Sequence, residues 1–281
     1  MKDYPDLPLE IFIDVGTKLA DRARIEAMRW FRCKALTVDN KDSSQFDPVT
    51  NADIAVEKVM RDILGEIRPN DSIVGEEIFS EKDSLVAGED AEICWVLDPI
   101  DGTRSFIAGM PLWGIMISAN YRGIPFFGMI DHPATCERVW GIYSNTNRAA
   151  FYIGANGDKV PLQTRQNVDL STAFLTTTHP EHFERKEQYE AFCQVAEKVR
   201  MHRFGGDCYQ YTLLSMGFFD LVLETGLKHF DIRAAIPIIR AAGGLVTNWE
   251  GDENACACGG SVVAAGNAVV HRQVLELIGG I

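Results

Sequence analysis

The chain has 281 residues, 46% of them hydrophobic and 24% charged, which is typical of a globular protein with one or two domains. Its 40 acidic and 27 basic residues give a formal net charge of −13, which argues against nucleic-acid binding because that function needs a basic face. No apolar run reaches the ~18 residues that a membrane span requires, so we expect no contact with the bilayer core.

The first half of the chain is predicted to mix helices, short strands and antiparallel hairpins. Helices are indicated by apolar residues at four-residue spacing, and hairpins by turn residues between apolar runs. The predicted elements are a helix over 8–31, a helix beginning at Thr50, strands over 72–75 and 93–97, and hairpins over 112–145 with turns at 122–123 and 134–135. A third turn is predicted at 156–157.

The second half shows strands alternating with helices, a pattern typical of α/β proteins. The predicted elements are a strand over 173–177, helices over 185–200 and 207–217, a strand over 220–223, a helix over 231–242, a strand over 244–248 and a helix over 268–278. We therefore predict two halves, an α+β half over 1–145 and an α/β half over 146–281. Their junction is a natural place for a binding site.

The stretch with the clearest chemistry is residues 95–103, WVLDPIDGT. Asp98 and Asp101 lie on either side of a proline, in a turn predicted to follow a buried strand. Two like charges this close repel each other unless a cation lies between them, and carboxylates are the usual ligands of hard cations. Gly102 and Thr103 come next, where a helix is predicted to begin, so their backbone N–H groups would face an anion. Adjacent cation and anion sites indicate phosphate-ester chemistry.

Further acids lie at the ends of three more predicted elements: Asp53 near a helix start, Glu76 and Glu77 after a strand, and Asp231 at another helix start. Each has a plain alternative, a helix cap for Asp53 and Asp231 and a solvated loop for Glu76 and Glu77. Together with Asp98 and Asp101, these acids could bind two or three Mg²⁺ ions. A protein this acidic would repel a phosphate dianion unless metal ions reversed the local charge.

Two metal ions a few ångströms apart can activate a water molecule and stabilise an in-line displacement. The carbonyl of Ile100 is a further candidate ligand. Thr103 would hydrogen-bond the attacking water, and Asp53 behind it would accept the proton.

In these motifs the chain resembles the inositol monophosphatase superfamily of Mg²⁺-dependent, Li⁺-sensitive phosphatases. Residues 75–77 (GEE), residues 98–103 (DPIDGT) and Asp231 match its three metal-site motifs in order, and residues 47–53 match its upstream segment. The resemblance covers nearly the whole chain. It implies a layered αβαβα sandwich, a homodimer, and two to three Mg²⁺ ions per site, with Mn²⁺ as a substitute and Li⁺ as an inhibitor.

The resemblance also implies individual roles. The first metal would be bound by Glu76, Asp98 and the Ile100 carbonyl, the second by Asp98, Asp101 and Asp231, and a weaker third by Glu76. Thr103 with Asp53 would activate the water, and Gly102 with Thr103 would contact the phosphate. The family often has a supporting lysine upstream of this segment. Lys41 is the nearest candidate, but its spacing is stretched and we assign it no role. Most metal ligands thus belong to the half 1–145, and the last belongs to 146–281 with the residues that select the substrate.

Finer details resemble the histidinol-phosphate phosphatase branch of the superfamily. Residues 104–106 (RSF) stand where inositol phosphatases usually have Thr-Asn-Phe, and segments 204–209 and 224–228 also match. This implies hydrolysis of histidinol phosphate in histidine biosynthesis. The substrate's ammonium would suit an acidic pocket, for which Asp207 and Glu224 are the candidates. A helix cap and a solvated loop acid are their respective alternatives.

Other interpretations stay open at this point. Arg104 would orient the substrate or contact a neighbouring subunit, or form an ordinary surface salt bridge. The substrate could instead be inositol phosphate or adenosine 3′,5′-bisphosphate, and a non-catalytic metal-binding regulator is the alternative from another class. The seven scattered cysteines suit reduced thiols, and the N-terminus lacks the pattern of a secretory signal. We therefore expect a cytoplasmic protein.

Overall fold

The computed structural model describes residues 9–41, 48–78, 92–183 and 185–279. The predicted helix start at residue 8 and the matched Asp47 lie outside these ranges. The first elements, in chain order, are α1 (Leu9–Trp30), β1 (Val38–Asn40), β2 (Pro48–Thr50), α2 (Asn51–Ile67), β3 (Ser72–Gly75), β4 (Ile93–Asp101), α3 (Thr103–Ala108), β5 (Gly114–Tyr121), β6 (Ile124–His132), β7 (Glu137–Tyr143), β8 (Arg148–Ile153) and β9 (Lys159–Pro161).

The rest of the chain alternates strands and helices, as predicted. Its elements are β10 (Phe174–Thr177), α4 (Lys186–Ala196), β11 (Met201–Phe204), α5 (Tyr209–Ser215), β12 (Leu221–Leu227), α6 (His229–Arg233), α7 (Ala235–Ala241), β13 (Leu245–Thr247), β14 (Gly260–Ala265) and α8 (Ala268–Ile278). None of the described helices combines the length and the apolar character needed to cross a bilayer.

Two large sheets organise these elements, and β1 pairs with β2 in a separate two-stranded sheet. The larger has seven strands in the order β3-β4-β5-β6-β7-β8-β9, and every neighbouring pair is antiparallel except β3 and β4. The smaller is a mixed sheet in the order β11-β10-β12-β14-β13. The larger sheet continues through β8 and β9 beyond residue 145, and the predicted division of the chain at that residue stays a prediction.

Three apolar clusters hold these sheets and helices in five layers. The first packs α1 and α2 on one face of the larger sheet, with Trp95 and Phe127 in its centre. The second places α5, α6 and α7 between the two sheets, with Ile238 and Val262 among its buried residues. The third covers the outer face of the smaller sheet with α4 and α8. This arrangement confirms the predicted αβαβα sandwich, because each apolar face is covered by the next layer.

Four local predictions were wrong. The turn expected at Asp98–Asp101 is the end of β4, whose pairing with β5 shifts register between these two residues. The helix predicted over 185–200 ends at Ala196 and is followed by β11, a short edge strand whose four residues are all exposed, without an alternating pattern. Strand β14 was missed. The helix predicted over 231–242 is two helices, α6 and α7, which meet at Ala234.

Candidate active site

Asp53 lies in the first turn of α2 and caps the helix that carries it. Its Oδ2 accepts hydrogen bonds from the N–H of Thr50 at 2.9 Å and from the Thr50 hydroxyl. Its Oδ1 is buried and has no hydrogen-bond partner among the described residues. Burial raises the pKa of Asp53 to about 6, although the bonds from Thr50 oppose this shift. Asp53 therefore caps the helix, as its alternative interpretation predicted. It also keeps one carboxylate oxygen for another partner.

Glu76 and Glu77 directly follow β3, and both side chains are largely buried, with 13% and 4% exposed. The solvated-loop alternative is therefore wrong. Lys41 joins them, since its Nζ lies 2.9 Å from Oε1 of Glu76 and 2.6 Å from Oε1 of Glu77. Burial and the neighbouring Glu76 charge raise the pKa of Glu77 to about 7. Lys41 had no predicted role, and its ion pairs follow from the tertiary structure. The upstream lysine of the family that the chain resembles was the signal for it.

Asp98, Asp101 and Asp231 come together although 130 residues separate the last two in sequence. Each offers one carboxylate oxygen, and the three oxygens lie within 4.8 Å of one another. The end of β4 supplies Asp98 and Asp101. Asp231 lies in the first turn of α6, where its Oδ2 accepts the N–H of Lys228 at 2.7 Å. A strand end and a helix start thus converge on one small volume.

Burial and mutual repulsion dominate the electrostatics of these three acids. Burial raises the pKa of Asp98 and of Asp101 well above the usual range, and neighbouring carboxylates raise both further. Asp231 has a pKa raised to about 8, first by burial and then by the charge of Glu76. The charge of Glu76 acts on Asp53 and Asp98 as well, so this acid belongs to the same cluster.

The donor set fits a hard divalent cation. Its atoms are carboxylate oxygens, burial and neighbouring carboxylates raise the pKa of Asp98, and Oδ1 of Asp53 has no hydrogen-bond partner among the described residues. A divalent ion relieves that repulsion, and oxygen is the donor that Mg²⁺ and Ca²⁺ prefer.

The DGT segment connects this acid cluster to a second group of polar residues. Gly102 precedes α3 in a left-handed conformation, with φ of 82°, and a Cβ there would lie 3.0 Å from the side chain of Asp207. Thr103 begins α3, and its Oγ1 donates to the carbonyl of Ile100 at 3.2 Å. Helix α3 lies beside β2, the strand that ends at Thr50 next to Asp53.

The second group contains Asp207 and Glu224, and neither matches its plain alternative. Oδ2 of Asp207 accepts the Ser105 hydroxyl at 2.5 Å, and the described structure gives α5 no side-chain cap. Glu224 is only 3% exposed, which excludes a solvated loop acid. Its Oε1 accepts the backbone N–H of Thr178 at 3.0 Å, and its Oε2 accepts the Tyr211 hydroxyl at 2.5 Å.

Charge interactions place this second group next to the first. Burial raises the pKa of Asp207, and the charge of Glu224 adds to that shift, whereas the Ser105 hydrogen bond and the charge of Arg104 oppose it. Asp207 in turn raises the pKa of Asp101. Arg104 is exposed on α3 at the rim. The structure therefore brings the sequence-predicted residues into two adjoining groups, the acid cluster and the pair of buried acids Asp207 and Glu224.

Comparisons with known proteins identify the relatives of this chain. The sequence model of the inositol monophosphatase family matches residues 9–279. The chain is 40% identical to the chloroplastic bifunctional phosphatase IMPL2 of Arabidopsis thaliana, over 98% of this chain and 77% of that protein. It is 32% identical to the histidinol-phosphatase of Mycobacterium tuberculosis, over 92% of this chain and 94% of that one.

A solved structure agrees with these matches. The inositol monophosphatase of Zymomonas mobilis superposes with a TM-score of 0.79 at 35% identity, covering 97% of this chain and 99% of that one. The family match covers nearly the whole chain. The chain belongs to the inositol monophosphatase family of metal-dependent phosphoric monoester hydrolases.

Proposed function

We propose that this phosphatase uses Mg²⁺ and that its substrate is histidinol phosphate, which it converts with water to histidinol and phosphate. The observation that carries the substrate assignment is the pair of buried carboxylates, Asp207 and Glu224, beside the acid cluster. The matches to a histidinol-phosphatase and to other phosphatases of the family support the chemistry, and they leave the substrate to experiment.

The proposed metal ligands are Glu76, Asp98, the carbonyl of Ile100, Asp101 and Asp231. They would hold two to three Mg²⁺ ions, with Mn²⁺ as a substitute. Bound ions would neutralise the carboxylates and polarise the phosphate ester. The backbone amides of Gly102 and Thr103 are proposed to contact the phosphate, with Arg104 at the rim.

The proton chemistry is assigned to Asp53 and Thr103. Oδ1 of Asp53 has no partner among the described residues, and its pKa of about 6 suits a group that accepts a proton near neutral pH. The Thr103 hydroxyl donates to the Ile100 carbonyl, which leaves its oxygen lone pairs to accept a hydrogen bond from the attacking water. Thr103 would thus orient the water while Asp53 takes its proton.

The substrate preference is argued from charge. Histidinol phosphate carries an ammonium, and a carboxylate paired with an ammonium makes a charge-assisted hydrogen bond that a neutral polyol cannot match. Inositol 1-phosphate has no cation and would offer Asp207 and Glu224 no ammonium to pair with. It is the second candidate because a solved relative is an inositol monophosphatase. Adenosine 3′,5′-bisphosphate is a further alternative.

A phosphate-release panel at millimolar Mg²⁺ tests the proposal with histidinol phosphate, inositol 1-phosphate, fructose 1,6-bisphosphate and adenosine 3′,5′-bisphosphate. The matched variants are Asp207→Asn and, as a control, Asp62→Asn on the exposed side of α2. Asparagine suits the positive φ of 42° at Asp207, so folding should be retained.

We expect Asp207→Asn to lower kcat/KM for histidinol phosphate by about 10- to 100-fold, because the variant loses a charged partner of the ammonium. Activity on inositol 1-phosphate should change little, and Asp62→Asn should behave as wild type. Equal losses on both substrates, or none, would refute the ammonium argument. We propose a homodimer from the family resemblance, and light scattering measures the oligomeric state. A cytoplasmic location is proposed from the seven scattered cysteines, which suit reduced thiols.

A further inference from the structure

Glu57 is a fully buried carboxylate that no step of the proposed mechanism uses. It lies on α2 one turn after Asp53, and residues four apart share a face of a helix. Its carboxylate points at the segment that follows β3. Oε2 accepts the backbone N–H of Glu77 at 2.7 Å, and Oε1 accepts the N–H of Ile78 at 3.2 Å. One side chain thus binds two successive amides of the segment that carries Glu76.

Arg61, one turn further along α2, completes this contact. Its Nε donates to Oε1 of Glu57 at 2.7 Å, and a terminal nitrogen donates to the carbonyl of Ile78 at 2.6 Å. The guanidinium compensates the buried charge of Glu57, which would otherwise be costly in the interior. The backbone of residues 77–78 therefore makes hydrogen bonds through two N–H groups and one C=O group. All of these contacts come from one face of α2.

Gly75 shows how closely the carboxylate approaches the segment. A Cβ at this position would lie 1.9 Å from Oε1 and 2.3 Å from Cδ of Glu57, far inside van der Waals contact. Any side chain at residue 75 would displace the Glu57 carboxylate from beneath the segment. The missing Cβ is therefore a requirement of this contact, and it accounts for glycine at the start of the GEE motif.

We propose that Glu57 is a positioning residue that holds the backbone of residues 75–78 so that the Glu76 carboxylate faces Asp98 and Asp231. The inference rests on the proposed role of Glu76 as a metal ligand. Lys41 pairs with the side chain of Glu76, whereas Glu57 holds the backbone beneath it. Groups that orient metal ligands do not contact the ion themselves, but their removal typically changes metal affinity by about 10- to 100-fold.

The test measures binding of Mn²⁺ alone to the metal-free full-length chain by calorimetry, without substrate. Glu57→Gln keeps the shape of the side chain, but its amide group turns a donor toward one of the two backbone N–H groups. Glu66→Gln, exposed on the same helix, is the matched control. Gly75→Ala displaces the Glu57 carboxylate without substituting Glu57 itself. Glu76→Gln and the double variant Glu57→Gln/Glu76→Gln complete the set.

We expect Glu57→Gln and Gly75→Ala each to raise the Kd for Mn²⁺ at the Glu76-dependent site by about 10- to 100-fold, with Glu66→Gln unchanged. In the Glu76→Gln background, Glu57→Gln should add less than about threefold, because residues that act through one another are not additive. If Glu57→Gln does not fold, Gly75→Ala carries the comparison, alone and combined with Glu76→Gln.

Two results would overturn the inference while leaving the proposed function intact. The first is wild-type Mn²⁺ affinity in folded Glu57→Gln. The second is a loss of Mn²⁺ affinity on Glu57→Gln that is equal with and without the Glu76→Gln substitution, which would mark a general structural role. Wild-type Mn²⁺ affinity in Glu76→Gln is a different result. It would remove the assigned role of Glu76 itself, and the positioning role of Glu57 with it.

Discussion

Metal uptake by this protein should release protons, because the acid cluster is partly protonated when it is empty of cations. The pKa of Asp231 is raised to about 8 by burial and by the charge of Glu76. At pH 7 a group with that pKa carries about 0.9 proton, and at pH 9 about 0.1. Asp98 and Asp101 have pKa values raised in the same direction and add to the total. A divalent cation binds the ionised carboxylates, so these protons must leave.

The structure therefore predicts release of about one proton or more per protein when Mg²⁺ binds at pH 7, and clearly fewer at pH 9. For each such proton that must leave, the apparent affinity for Mg²⁺ should weaken by up to about tenfold per pH unit below pH 8. The assay is calorimetric titration in buffers of different ionisation enthalpy, which counts protons directly. Asp231→Asn should reduce the count at pH 7 by about one.

The same pKa shift has a consequence for stability. The folded pKa of Asp231 exceeds the value of about 4 for an unfolded aspartate, so its contribution to stability is present at low pH and is lost as the pH rises from about 4 through about 8. Metal should remove this loss. Proton release near zero at pH 7, together with Mg²⁺ affinity that is unchanged between pH 6 and pH 8, would refute the reasoning.

Two further predictions concern single carboxylates. Asp98→Asn should abolish turnover while the metal-free protein keeps or gains melting temperature, because the variant removes a carboxyl group whose ionisation burial and its neighbours penalise; a large fall in the melting temperature of the metal-free variant would contradict this. Asp53→Asn should lower kcat by about 10²- to 10⁴-fold at saturating Mg²⁺, because it removes the proposed proton acceptor. The asparagine can still cap α2 through its carbonyl oxygen. Near wild-type kcat in the folded variant would assign the proton transfer to another group.

The sequence alone determined what depends on short segments. The cap at Thr50, the hairpin turns and the position of Gly102 before α3 follow from local propensities that act within a few residues. The order of the motifs identified the family and hence the layered sandwich. Strands β11 and β14 were missed because a short strand is defined by its pairing partners, and those lie far away in the sequence.

Only the tertiary structure decided which groups share one electrostatic environment. Three contacts join segments that are 20 to 102 residues apart: the ion pair of Lys41 with Glu76, the hydrogen bonds from residues 77–78 to Glu57, and the hydrogen bond from Ser105 to Asp207. Burial then sets the pKa values of the acids, because a carboxylate is penalised by what the whole fold packs around it. A linear sequence can nominate such acids, but their distances and desolvation exist only once the layers have closed around them.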